Sequence, residues 1–320
     1  MSPQSPNQFP NQFPNQSPNQ SPSQLPNYPI TRLPNFYAPD SRAASAVGRA
    51  ARLELVFEVR RGRTIVAHAY AEPPFRIGRA FDLDGAAYVI IVCSGPGIFA
   101  GDTLRQSVRV GRGARVVLTS QSALQVHPSA APAPATVHHH YHVEDDGELR
   151  CEWDPVIPFA CARLEQRFDL EIAGTGRVYW TDALMSGRVS RGEPWRFQSL
   201  AHELRVRVGP SLAYLERYRL APADAAADTS RIDHPWIAAG MNYLATAIVH
   251  HPEASADAAE TLQRQIGLMA GVRVGVDLVQ PRVIAARLMA GGGAPFAAAR
   301  ASYHALALAT IFGTGRVGRK

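Results

Sequence analysis

The sequence predicts a mainly β protein with two α-helices near its C-terminus. Three observations carry this reading. Hydrophobic alternation of period two recurs from Arg52 to Leu220, turn residues separate the alternating runs about every dozen positions, and the text becomes partly helical after Pro222. Many short strands with regular turns argue for an antiparallel-rich arrangement.

In order, Leu53-Glu54-Leu55-Val56-Phe57-Glu58-Val59 puts 53, 55, 57 and 59 on one face and charge at 54 and 58 on the other, ending at the turn Arg61-Gly62. Further strands are predicted at 88–92, 104–110, 115–119, 136–143, 149–153, 167–172, 177–180, 204–208 and 212–220. Gly111-Arg112-Gly113, Asp145-Asp146-Gly147, Gly174-Thr175-Gly176 and Gly209-Pro210 separate them. A strand over 241–251 precedes a helix opened by Ser255 with an acidic first turn and running to about Met269. Strands at 272–279 and 282–288 follow, and Pro295 starts a second helix reaching about Ile311.

The first 45 residues read differently. Pro6-Asn7-Gln8-Phe9, Pro10-Asn11-Gln12-Phe13, Pro14-Asn15-Gln16-Ser17 and Pro18-Asn19-Gln20-Ser21 repeat with a period of four. Proline at every fourth position opposes helix and sheet, and so little apolar surface cannot offset the entropy of ordering. Residues 1–45 are expected to be a disordered Pro/Asn/Gln-rich tail and residues 46–320 a single β-rich domain.

The chain has 320 residues, 33 of them basic and 27 acidic, for a net charge of +6. Arg316, Arg319 and Lys320 supply three of those charges, so the rest is nearly balanced and gives little reason to expect a nucleic acid partner. Lys320 is the only lysine, which excludes P-loop and Schiff-base chemistry. Three cysteines without a CxxC fit a reducing compartment. No apolar run long enough to cross a membrane and no signal-peptide pattern occur, so a soluble, cytoplasmic protein is expected.

The motifs GxSxG, HExxH and GxxxxGK[ST] are absent. Alternation in His138-His139-His140-Tyr141-His142 places His138, His140 and His142 on one strand face, opposite Val137, His139, Tyr141 and Val143. Residues two apart on a strand are about 6.6–6.8 Å apart, a spacing at which two imidazoles reach one borderline ion such as nickel or zinc. A solvated polar face, or an adventitious metal strip, is the plainer reading. Cys93, Cys151 and Cys161 are expected to be buried and inert, and Trp153, Trp180, Trp195 and Trp236 to pack in the core. Asp102, Glu152, Asp182 and Glu193 fall in or beside strands. A carboxylate so placed needs arginine, metal or internal water, and arginine is the commonest partner in so arginine-rich a chain.

Four blocks together resemble the UreD (UreH) family of urease accessory proteins. They are the glycine-rich turn Ser94-Gly95-Pro96-Gly97-Ile98-Phe99-Ala100-Gly101-Asp102-Thr103-Leu104, the run Leu118–Ala123, Trp153-Asp154-Pro155-Val156-Ile157-Pro158-Phe159-Ala160, and Thr181–Glu193 with Ser186-Gly187-Arg188 at its centre. Leu215–Leu220 resembles the family's next strand. The sequence departs from the family at Thr119–His127, which lacks its basic residue, and at Thr314–Val317, which replaces its usual Pro-Arg-Ile-Trp ending. The resemblance implies a helix-like stack of β-strands with two helices near the C-terminus. It also implies a non-enzymatic scaffold for nickel insertion, partnered by UreF, the GTPase UreG and apo-urease; from charge balance and the lack of a long apolar run, no nucleic acid or membrane partner is expected. No cofactor is expected to be tightly bound. Transient nickel is expected, with Asp102, Glu152, Asp182 and Glu193 as candidate path residues and His138, His140 and His142 as a candidate surface strip.

Two alternatives belong to other classes. A metal-dependent hydrolase would use the three histidines, but from first to last they span over about 13 Å, too far for one ion without a bulge. A β-helical carbohydrate-binding module would show a ladder of aromatics, whereas the tryptophans have no repeat spacing.

Overall fold

A computed structural model of the chain describes residues 48–128, 133–221 and 240–314. The proline–asparagine–glutamine repeat and Trp236 lie outside the described residues.

The chain opens with an antiparallel hairpin of β1 (Ala50–Arg60) and β2 (Arg63–Ala71). Its two turn residues both take positive φ, 52° at Arg61 and 74° at Gly62, as a type I′ turn requires. Two short strands, β3 (Phe75–Ile77) and β4 (Phe81–Leu83), pair antiparallel with β5 (Ala86–Cys93).

From β5 onward successive long strands alternate between two sheets. The first sheet takes β6 (Thr103–Val110), β9 (Ala135–Val143), β12 (Arg163–Ile172) and β14 (Ser199–Val208). The second takes β7 (Arg115–Ser120), β10 (Glu148–Glu152) and β13 (Arg177–Met185). Minor strands β8 (Leu124–Val126) and β11 (Val156–Pro158) pair beside them. Each long strand lies parallel to its sheet neighbour from the previous coil: β1 with β6, β6 with β9, β9 with β12 and β12 with β14 in one sheet, and β5 with β7, β7 with β10 and β10 with β13 in the other. This is a helix-like stack of strands. Antiparallel pairing is confined to the ends, where β15 (Ser211–Leu220) folds back on β14, and β16 (Tyr243–His250), β18 (Val283–Ala290) and β17 (Val272–Gln280) extend the second sheet beyond β13.

The expected antiparallel-rich arrangement is therefore corrected at the centre of the molecule. The turn residues that suggested hairpins are corners that carry the chain from one sheet to the other. Three four-residue corners, 111–114, 144–147 and 173–176, lie on one another. Gly113 N–H donates to Asp145 O at 3.3 Å, Glu148 N–H to Ala114 O at 2.8 Å and Arg177 N–H to Gly147 O at 2.8 Å. Glycine is needed where these backbones approach. A Cβ at Gly147 would lie 2.9 Å from Glu144 O and 3.2 Å from Gly111 O in the neighbouring corner.

Two cores result. Between the sheets, alternate residues such as Leu53, Leu55, Phe57, Leu164, Phe168, Leu170, Val178 and Trp180 interdigitate. On the outer face of the second sheet, α1 (Ala256–Gly267) and α2 (Gly293–Thr310) cover small and branched residues, among them Ala245, Ala247, Val249, Ile284 and Ala286. The Ser255 hydroxyl caps α1 by accepting from Ala258 N–H at 3.2 Å. Leu262 is wholly buried beneath it, a burial of about 1.5–3 kcal/mol. Both helices match the sequence prediction to within two residues at every end. Trp153, Trp180 and Trp195 are buried, as is Cys151. Cys161 departs from expectation: it is exposed, on a turn where its own φ is 62°.

Candidate functional site

Most inward positions between the sheets are apolar, yet a line of polar side chains crosses the core. Gln106 on β6, His139 and Tyr141 on β9, Gln166 on β12, His202 on β14 and Glu216 on β15 all face inward from the first sheet. Asp182 on β13 and Thr246 on β16 meet them from the second. Strand register builds this line. Gln106 is opposite His139, Gln166 opposite His202, and Asp182 opposite Thr246, which is itself opposite Arg287 on β18.

The polar residues form two centres. At the first, the Tyr141 hydroxyl accepts from Trp153 Nε1 at 2.6 Å and from Gln106 Nε2 at 3.2 Å, and its own proton goes to His139 Nδ1 at 3.0 Å. Burial, then the neighbouring His138, push His139 down to about 3, so the ring is neutral; with two donors already on the Tyr141 hydroxyl, Nδ1 is assigned as the acceptor of its proton. At the second, the Glu216 carboxylate accepts from the Thr246 hydroxyl at 3.2 Å and the Tyr214 hydroxyl at 2.9 Å, and pairs with Arg287 Nη2 at 2.9 Å. Asp182 Oδ2 lies 3.8 Å from His202 Nδ1, which is hydrogen-bonded to the Gln166 amide at 2.8 Å. Burial, and then the charge of Glu216, raise Asp182 to about 7, while burial, and then Arg287, lower His202 to about 4. Their contact is therefore that of a carboxyl group with a neutral imidazole rather than an ion pair. Tyr218 stacks on His202 with ring centroids 4.6 Å apart.

A cavity of about 640 Å³, counting its open mouth, leads to this line. Ser120, Ser122, Asp154, Gln106, His139 and Asp182 are among its lining residues. Ser120 Oγ donates to Asp154 Oδ2 at 2.9 Å and accepts from the Asp154 amide at 2.8 Å. Cys93 also lines the cavity, its thiol pushed up to about 11 by burial and then by Asp102.

The structure does not bring the four candidate path carboxylates together. Asp182 alone lines the cavity. Asp102 ties backbone: Oδ1 accepts from Arg49 N–H at 2.8 Å and Oδ2 from Phe99 N–H at 2.9 Å. Glu152 sits on the other side of the second sheet, under α2, with His304 Nδ1 at 3.0 Å and Arg300 Nη2 at 3.7 Å. Glu193 makes two hydrogen bonds of 2.7 Å with Arg188. His138, His140 and His142 lie on the outer face of the first sheet, each about two-fifths exposed, and His139 points inward as alternation predicts. Among the described residues no group of three or more His, Cys, Asp or Glu side chains is placed so that it could hold a metal ion.

Gln166, His202 and Glu216 were not among the residues singled out by sequence. The signal that finds them is a polar residue at an inward position of an apolar face, as in Leu164-Gln166-Phe168 and Leu200-His202-Leu204. Chemically, the arrangement offers scattered oxygen and nitrogen donors around a cavity; among the described residues Gln166 Oε1 and His202 Nε2 have no hydrogen-bond partner, and the nearest carboxylate oxygen to His202 Nε2 is Glu216 Oε1 at 3.9 Å. That suits weak, successive contacts with a polar or cationic species.

Comparison with known proteins gives a consistent result. The family model described as UreD urease accessory protein matches residues 49–317. A urease accessory protein UreD of Sorangium cellulosum is 36% identical over 183 residues, which cover 57% of this chain and 58% of that protein. One from Trichodesmium erythraeum is 32% identical over 150 residues, covering 45% and 54%. A protein of Streptomyces griseus named urease accessory protein UreD 2 is 30% identical over 245 residues, covering 74% and 82%. The chain thus spans little more than half the length of the first two relatives and most of the third. No helix among the described residues is long and apolar enough to cross a membrane.

Proposed function

The chain belongs to the UreD urease accessory protein family, and from that role in urease maturation we propose that it is a non-enzymatic, cytoplasmic scaffold helping to insert nickel into apo-urease. In this reading it acts in a complex with UreF and the GTPase UreG, and nickel is cargo rather than a resident cofactor. The observation that supports it is the cavity-linked line of polar side chains ending at Asp182, His202 and Glu216. A dehydrated divalent ion is costly to place between apolar sheets, and donors along the way reduce that cost. A closed ligand set would hold the ion, whereas separated donors let it leave. Asp182 is the member of the four candidate carboxylates best placed for this role, since it alone borders the cavity.

The hydrolase alternative gains no support from the histidine strand. His138 is engaged by Asp169 at 2.7 Å, while His140 and His142 both approach Glu171, so the three histidines do not converge on one point.

The test is Asp182→Leu in cells expressing the cognate urease, UreF and UreG. Urease nickel content should fall severalfold while all partners still co-purify with the scaffold. Normal nickel content would remove Asp182 from the path. Loss of co-purification would assign it to structure.

A further inference from the structure

We propose that Arg300 on α2 is a positioning residue for the inter-sheet cavity: from the far side of the second sheet it holds the end of β10, and so fixes the wall formed by Trp153, Asp154 and Val156. The inference concerns the cavity itself, and only its consequence for nickel rests on the maturation role.

It starts from where β10 stops. The strand is paired on both sides as far as Glu152, with Thr119 of β7 and Thr181 of β13. One residue later the Trp153 N–H still donates to Thr181 O at 3.1 Å. On the β7 side the ladder is over, since the Asp154 amide turns to the Ser120 hydroxyl at 2.8 Å. A side chain from another layer then takes up the Trp153 carbonyl: Arg300 Nη2 donates to it at 2.7 Å. An ionised donor makes such a bond about twice as strong as a neutral one. Apolar packing alone would seat α2, as Phe296, Ala299, Ala307 and Leu308 do. The Arg300 side chain is nine-tenths buried, which costs desolvation that an apolar residue does not pay, and what it adds is a directed bond to one carbonyl.

Helix geometry doubles the grip. His304 stands four residues on from Arg300, on the same face of α2. Its Nδ1 lies 3.0 Å from Glu152 Oε2, and its ring stacks on Tyr179 of β13 with centroids 4.3 Å apart. Alternation then carries the restraint through the sheet, because Glu152 faces the helix and Trp153 faces the cavity. The Trp153 indole gives its N–H to the Tyr141 hydroxyl, whose other bonds hold Gln106 and His139. A shift at the Trp153 carbonyl therefore moves the ring that organises the first polar centre. It also moves Asp154 and Val156, which follow on the same segment and line the cavity.

The experiment uses the full chain and reads the cavity through Cys93, which lines it, with the exposed Cys161 as internal reference. A small neutral thiol reagent is added, and mass spectrometry follows the labelling of each cysteine. Arg300→Leu should speed Cys93 labelling about fivefold or more relative to Cys161. Arg300→Lys, which keeps a charged donor for the carbonyl, should stay within about twofold of the unaltered chain. Leu262→Ala, which loosens the packing of α1 instead, should also stay within about twofold at a matched folded fraction by circular dichroism. Should Arg300→Leu not fold, Arg300→Gln, shorter and uncharged, takes its place in the same comparison. Unchanged or slower Cys93 labelling in the folded variant would overturn the inference, as would an equal increase in Leu262→Ala. Urease nickel per assembled complex is measured on the same variants, with a severalfold fall expected in Arg300→Leu and recovery in Arg300→Lys. Faster labelling with normal nickel would uphold the positioning role and count against a nickel path through this cavity.

Discussion

Asp182 Oδ2 stands 3.8 Å from His202 Nδ1, and the two groups titrate in inverted order, the acid up to about 7 and the imidazole down to about 4. Between those values the buried centre holds a protonated carboxyl beside a neutral ring, next to the Glu216–Arg287 pair at 2.9 Å. Burial is the first cause of both shifts, which is why opposite groups move in opposite directions.

The first prediction follows from that inversion. The folded pKa of Asp182 is raised, so its contribution to stability is full below the unfolded value near 3.9 and is lost as pH rises towards about 7. Asn cannot ionise and carries no such loss. The stability of Asp182→Asn relative to the unaltered chain should therefore increase between pH 4 and pH 7, by up to about 1.4 kcal/mol per pH unit, and level off above pH 7. His139 and His202 act in the opposite sense. Their depressed values mean stability is lost as pH falls from about 6.5 through about 4 and about 3, so the unaltered chain should still weaken in acid. Urea unfolding at a series of pH values measures both. A pH-independent difference between the two proteins would contradict the assignment.

Tyr141 is the second case. Its hydroxyl serves two donors and one acceptor at once. Phe would keep the ring and leave Trp153 Nε1, Gln106 Nε2 and His139 Nδ1 to find other partners in the core. Each buried polar group left unpaired costs about 1–3 kcal/mol, so Tyr141→Phe should lose about 2 kcal/mol or more. Chemical denaturation gives the value, and a loss under 0.5 kcal/mol would show that water takes over the role.

The corner glycines make a paired test. Gly147→Ala would push a Cβ against two backbone carbonyls at 2.9 and 3.2 Å, which cannot rotate aside, and within 3.3 Å of Val143 Cγ1. Gly174, at the second rather than the last place of the next corner, has nothing within 4 Å of an added Cβ. Gly147→Ala should destabilise by about 1–3 kcal/mol, while Gly174→Ala should be neutral or stabilise by up to about 1 kcal/mol through the unfolded state. Equal melting temperatures for the two variants would mean that the corners do not pack as described.

How far the sequence discloses this molecule depends on the range of the interaction. Strands such as β12 were legible, here over 167–172 of its ten residues, because one face is buried and the other solvated, which writes the alternation into the sequence. β2 was not, since Arg63–Ala71 is partly exposed along most of its length and shows no clean two-residue rhythm. Parallel pairing was also hidden. Asp145-Asp146-Gly147 reads the same whether it returns the chain beside its own strand or carries it to the opposite sheet. The polar line suffers most from this limit. Gln166, His202 and Glu216 stand on three different strands and form no motif, and only register and winding bring them to Asp182.

Asp102 supplies the last prediction, because the same residue type in the first block of the family pattern does different work from Asp182 in the fourth. Its two oxygens accept from Arg49 N–H and Phe99 N–H, joining the start of β1 to the turn before β6. A carboxylate bound by two backbone amides is an anchor, and an ion passing by would have to compete with both bonds. Asp102→Ala would leave two amides without their acceptor in a site only 8% exposed, at a cost of about 1–3 kcal/mol. The expected outcome is a fall in soluble protein and in co-purified partners, with urease nickel falling in proportion and no further. Asp182→Leu should do the reverse, lowering nickel per assembled complex. Measuring nickel and assembly together for both variants in the same cells separates the roles. A selective loss of nickel in Asp102→Ala, with assembly intact, would move the path to the turn at the mouth of β6 and away from the inter-sheet cavity.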